Sequence, residues 1–175
     1  MAYINAATAG NFATVMVTIS AGTAPVIGGF ITAAATPAKT AAALEIPALQ
    51  DITVTNNAGT FRWRQLDVLS EKVVSTVSTN SVAGNLVVDP TSFFGDGTTP
   101  VVVAEDAGLF NLTNNKTAID FVVFLSGYSV GDKYIMGTGY ITNIAPAVSA
   151  DSPVWVSPFT IEVDGNFTTG TVPGA

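Results

Sequence analysis

The run IDFVVFL, Ile119 to Leu125, is the most apolar strand-like stretch of the chain. It sets Ile119, Phe121, Val123 and Leu125 on one side and Val122 and Phe124 on the other. A strand with apolar residues on both sides is expected to be covered on both sides. Outward to the C-terminus, Tyr134 to Ile144 reads as a long strand in which Gly137 and Gly139 suit a bulge or a close backbone approach. Val154 to Asp164 follows, with Trp155, Phe159, Ile161 and Val163 on one side, and Pro158 inside it predicts an edge position or a bulge. Outward to the N-terminus, Ala104 to Leu112 is the best helix. Glu105 and Asp106 fall in its first turn, where the helix dipole favours them. Ala107, Leu109, Phe110 and Leu112 form its expected buried side, and Asn114 and Asn115 end it. Val101 to Ala104 reads as a short strand. Asp89 and Pro90 open one helical turn as N-cap and first residue, closed by Gly95.

Further from the centre the signals are weaker. Glu71 to Thr79 and Val82 to Asp89 read as two strands linked through Thr79, Asn80 and Ser81. Ile52 to Thr55 and Phe61 to Leu66 read as a hairpin around Asn56, Asn57 and Gly59. Its second arm carries Arg62 and Arg64, whose expected partners are Asp67 and Glu71 or a neighbouring subunit. Phe12 to Ser20 alternates as a half-buried strand. Thr32 to Pro47 is an extended, Ala-rich loop bracketed by Pro37 and Pro47, in which Lys39 to Glu45 has the composition of a short helix. The sum is a mainly β chain of eight or nine strands. It predicts a β-sandwich or partly closed barrel with one flanking α-helix and an extended loop. One domain spans 1–175, with 32–47 as a candidate inter-subunit loop and 171–175 as a C-terminal tail.

Composition narrows the function. The 175 residues hold no Cys and no His, and only 6 Lys plus Arg against 13 Asp plus Glu, for a net charge of −7. Those zeros exclude disulfide frameworks, thiolate nucleophiles, His-based triads and nearly all zinc, copper and haem sites. An acidic chain also argues against tight nucleic-acid binding, which wants clustered cations. Thr (23) and Val (22) favour pleated sheet, and Thr, Ser and Asn keep the chain soluble in place of charge. A weakly polar surface costs little to desolvate and suits repeated subunit contact.

No catalytic or cofactor motif is present. Gly137 and Gly139 lack the third glycine of a dinucleotide loop, and neither a P-loop nor a nucleophile elbow occurs. Glu105 and Asp106 read as helix-capping acids and Asp96-Gly97 and Asp164-Gly165 as turns, not as calcium loops. No cofactor and no enzymatic activity are expected. The uncharged stretch Met1 to Ala38 is interrupted by Pro25, Gly28 and Gly29 and has no basic leader, so neither a membrane span nor a signal peptide is expected.

Two blocks, TFRWRQLDVLSEKVVSTVSTNSVAGNLVVDPTSFFG (Thr60 to Gly95) and GTGYITNIAPAVSADSPVWVSPFTIEVDGNFTTG (Gly137 to Gly170), resemble bacteriophage tail tube proteins, also called major tail proteins. The likeness lies in Gly139 to Ile144, the Pro-, Ser- and Asp-containing loop Pro146 to Pro153, and the final apolar strand Phe159 to Gly165. It implies a virion protein made in the host cytoplasm, with its own copies and other tail proteins as partners. It implies β-sandwich subunits that form hexameric rings stacking into a hollow tube, through which DNA passes without specific binding. Pro37, Lys39, Leu44 and Glu45 are then the candidate inter-subunit loop residues, and Asp67, Glu71 and Asp120 the candidate lumen-facing acids. A head decoration or other filament subunit, and a carbohydrate-binding module using Trp63, Trp155 or Tyr140, are the alternatives.

Overall fold

The computed structural model describes residues 12–46, 48–64, 70–97, 103–149 and 152–174. Its frame is one antiparallel sheet of nine strands. In chain order these are β1 (Thr14–Ile19), β2 (Leu44–Ile46), β3 (Leu49–Asn57), β6 (Thr79–Val87), β7 (Ile119–Phe124), β8 (Lys133–Ile144), β9 (Ala147–Ser149), β10 (Ser152–Val163) and β11 (Thr168–Thr171). Two further strands, β4 (Thr60–Trp63) and β5 (Lys72–Ser75), pair only with each other. The sheet order is β2-β1-β7-β8-β10-β6-β3; β9 adds to β10, and β11 continues β10 along β8.

The edge strands β2 and β3 are consecutive in the chain. From Ile46 to Leu49 the backbone spans at most about 11 Å, so the sheet must curl until its two ends approach. Among the described residues no hydrogen-bonded ladder closes it. Between the two halves lies the main core: Val15, Val17, Leu44 and Ile46 from one end, Ile119, Phe121 and Val123 from the middle, and Val82, Leu86, Phe159 and Ile161 from the other. The helices α1 (Pro90–Phe94) and α2 (Ala104–Asn114) complete it with Phe93, Ala107, Leu109 and Leu112. The architecture is the expected mainly β sandwich with a flanking helix.

Several local expectations hold for the stated reasons. All six residues of β7 are buried. Asp89 Oδ2 accepts the Ser92 N–H at 2.9 Å ahead of Pro90, and Gly95 ends α1 at φ +83°. Gly139 lies so close to β10 that a Cβ there would stand 2.2 Å from the Glu162 carbonyl oxygen. Arg62 pairs with Glu71 at 3.4 Å on an exposed surface. Pro158 lies in an interior strand, but at an interruption: Ile144 pairs with Phe159, Ala147 pairs with Val156, and between them Ala145 N–H donates to Ser157 Oγ.

Other expectations are corrected. The hairpin of Ile52–Thr55 with Phe61–Leu66 does not form; β3 pairs with β6 across the intervening residues 58–78, from Asn57 opposite Thr79 onward. Thr79 to Ser81 is therefore strand and not link. Lys39 to Glu45 is a turn followed by β2, not a helix, because Val17 and Val15 take Leu44 and Ile46 as sheet partners. The strand at Phe12–Ser20 is not half-buried: Val15, Met16 and Val17 are all fully buried. Phe110 is 43% exposed because Gly108, at φ +68°, kinks α2 and turns the following residues. That glycine is obligatory, since a Cβ on it would lie 2.2 Å from Gly95 N. Within the expected tail 171–175, of which Ala175 lies outside the described residues, Val172 is buried and its N–H donates to the Asp132 carbonyl at 2.8 Å. In the expected strand Val101–Ala104, Val101 and Val102 lie outside the described residues, and Ala104 opens α2.

Candidate assembly surfaces

The outer side of the curled sheet divides into two unlike halves. On β1, β7 and the first part of β8 it presents Met16, Val122, Phe124, Tyr134 and Met136. This apolar half is covered by the segment 27–43, through Phe30, Ile31 and Ala43, and by Val172. Burying a Phe or Ile side chain is worth about 1.5–3 kcal/mol, so the segment is held as part of the body. Its backbone is tied by Thr32 N–H to the Ala38 carbonyl and Thr40 N–H to the Phe30 carbonyl.

On the far half of β8 and on β10, β6 and β3 the same side carries no layer among the described residues. Register places Tyr140, Glu162, Ser81 and Thr55 in one row, Asn143, Thr160, Ala83 and Thr53 in the next, and Pro158, Asn85 and Asp51 in a third. Their inward neighbours Ile161, Val82 and Val54 belong to the core, so this alternation fixes the row residues on the outer side. The face is hydroxyl, amide and carboxylate. No Lys or Arg projects from it; Lys116 lies at its margin, in a groove with Tyr140 and Glu162. Asp51 is held in place by the backbone N–H and side-chain amide of Asn85, each at 2.8 Å.

The third surface is an arm. β3 and β6 lead into residues 58–78, where β4 and β5 form a hairpin with every strand residue exposed. Phe61 and Trp63 share one face with Val74 and Lys72, and Lys72 Nζ lies 5.1 Å from the Trp63 ring centre. Phe61 is 58% and Val77 86% exposed. A lone two-stranded hairpin is marginal in water. Sequence reasoning missed this arm because Asn56, Asn57 and Gly59 look like the turn of a hairpin, when they lie at the arm's base.

The residues singled out from sequence fall as follows. Pro37 and Leu44 are buried, and Leu44 belongs to the main core. Lys39 bonds Glu105 Oε1 at 3.1 Å and the Ala43 carbonyl at 2.8 Å, tying the segment to the start of α2. Glu45 is half-buried on the edge strand β2. Glu71 is on the arm, and Asp67 lies outside the described residues. Asp120 is only 8% exposed and accepts the Thr138 hydroxyl at 2.8 Å. Asp51 and Glu162 are the acids that the fold leaves on the bare sheet face.

Among the described residues no group of three or more acids is placed to hold a metal ion, and no helix is long and apolar enough to cross a membrane. Trp155 and Tyr140 do not form a joint platform. Tyr140 is level with Glu162, seven residues along β10 from Trp155, or about 23 Å at strand rise. Trp63 is on the separate arm.

The curled antiparallel sheet with its flanking helices is a fold that this chain shares with solved tail tube structures. The chain superposes on the SPP1 tail tube subunit with a TM-score of 0.55, at 10% identity, over 91% of this chain and 77% of that one. It is also similar to a subunit from the tail of an empty gene transfer agent particle, an assembly of C6 symmetry. There the TM-score is 0.54 at 15% identity, over 72% of this chain and 84% of that one. A chain from the native gene transfer agent virion gives 0.53 at 15% identity, over 72% and 87%. No family pattern and no curated protein sequence matches the chain.

Proposed function

We propose that the chain is a structural subunit of a tail tube: its copies form rings that stack into a hollow conduit for DNA, and the bare polar sheet face lines the lumen. The observation that carries this reading is the pairing of a tail tube fold with an uncovered face that has acids and hydroxyls but no projecting cation. Phosphate is repelled by Asp51 and Glu162 and finds no Lys or Arg on which to release counterions, so DNA slides and does not stick. A ring of six follows by likeness to the C6 tail. The arm 58–78 takes over the bridging role expected of 32–47, of which Glu45 on the edge strand and the exposed rim 32–36 remain open to a neighbour. The assembled protein belongs to a virion tail, made in the host cytoplasm and contacting other tail proteins.

Negative-stain electron microscopy of the purified protein over a concentration series tests this. Hollow tubes or stacked rings of uniform width support it. Compact monomers at every concentration contradict it, and trimers or rings that never stack favour a head decoration protein.

A further inference from the structure

We infer that the arm of one copy docks on the α1–α2 face of another, the basic and apolar hairpin meeting an acidic face with two exposed aromatics. The inference rests on the self-association just proposed and names its contact.

The helical face has the acceptor's features. Phe93 is buried, but Phe94 and Phe110 beside it are 54% and 43% exposed, with ring centres 5.9 Å apart. The backbone lock of Gly95 against Gly108 holds this pair outward. Residues 89–115 contain Asp89, Asp96, Glu105 and Asp106 and no Lys or Arg, and Lys39 pairs with Glu105. Asp89 and Asp106 also cap their helices, which leaves their charge in place.

The arm is the complement. It carries Arg62, Arg64 and Lys72 against Asp67 and Glu71, one net positive charge in a chain of net −7, which leaves −8 on the remaining residues. Phe61, Trp63 and Val74 make its open face apolar, with Lys72 at the rim. Among the described residues no other strand pairs with this hairpin, and every residue of its two strands is exposed. Apolar anchors ringed by opposite charge are the arrangement that gives an interface both affinity and register.

The chain has no cysteine, so engineered thiols report contacts cleanly. One copy carries Val74→Cys on the arm; a second carries Asn114→Cys, one helical turn beyond Phe110. The two are mixed, assembled and treated with a short bismaleimide, so that any mixed product is between copies. Val148→Cys, on the exposed β9 strand, is the control partner. The expected result is cross-linking to Asn114→Cys and not to Val148→Cys. In addition, Phe94→Ser with Phe110→Ser, checked for folding by its thermal melt, raises the concentration needed for assembly about tenfold or more. Assemblies that form without the Asn114 cross-link, or with the Val148 one, overturn this inference and leave the tube reading standing. Absence of any wild-type assembly overturns both.

Discussion

The two halves of the outer sheet face are built from the same kind of strand and end in opposite states. Over β1 and β7 the sequence runs VMV and IDFVVF, apolar on consecutive residues, and the segment 27–43 lies on top. Over β3 and β6 it alternates, with Thr53, Thr55, Ser81 and Asn85 outward and Ile52, Val54, Val82 and Leu86 inward, and none of the described residues lies on top. Alternation thus marks which part of a continuous sheet a protein leaves open to an aqueous space. Loss of alternation marks where its own chain must return.

This contrast can be broken from either side. The largest effect is expected from Phe30→Ala, which empties the centre of the covering layer: a loss of about 3–5 kcal/mol, or roughly 10 °C or more in thermal midpoint. Val122→Thr keeps the shape but buries a hydroxyl under that layer, and thermal melts are expected to show a loss of about 1–3 kcal/mol. Lys39→Ala cuts the partly exposed ion pair that ties the segment to Glu105, and denaturant titration should register about 0.2–1 kcal/mol. Thr53→Val, the reverse swap on the open half, should leave stability within about 0.5 kcal/mol. A stable Val122→Thr beside a destabilised Thr53→Val would invert the comparison.

A functional contrast follows on the open half. Thr53→Lys with Thr160→Lys should leave the melt unchanged within the same margin. Assembled tubes of that variant should retain DNA fragments at low salt and release them as salt rises, whereas wild-type tubes retain none at any salt.

Much of this was legible in the chain itself. Ile119 to Leu125 announces a strand sealed on both sides, and Asp89 with Pro90 announces a helix start, because each is decided by neighbours in sequence. The partner of β3 was not legible. Asn56 and Gly59 offer a local turn, and only the long-range match of Ile52, Val54 and Val82 along one core overrides it. The fate of 32–47 was likewise hidden. Its small residues suit an excursion, and what holds it is Phe30 and Ile31 on a face that alternation alone had marked as half-open. Phe110 was misplaced for a third reason: a helical wheel assumes a straight helix, and Gly108 kinks this one. Strand position alone did not tell exposure: Asp120 is 8% exposed, while Glu162, level with Tyr140, lies on the outer side of the sheet.

The most direct test of the central claim is a helical reconstruction of the assembled protein at side-chain resolution. The account predicts a hollow tube with Thr53, Ser81, Thr160 and Glu162 on the inner wall and the 27–43 layer away from it. A solid filament, or a tube whose lumen is lined by the 27–43 layer while the β10–β6–β3 face points outward, would contradict it.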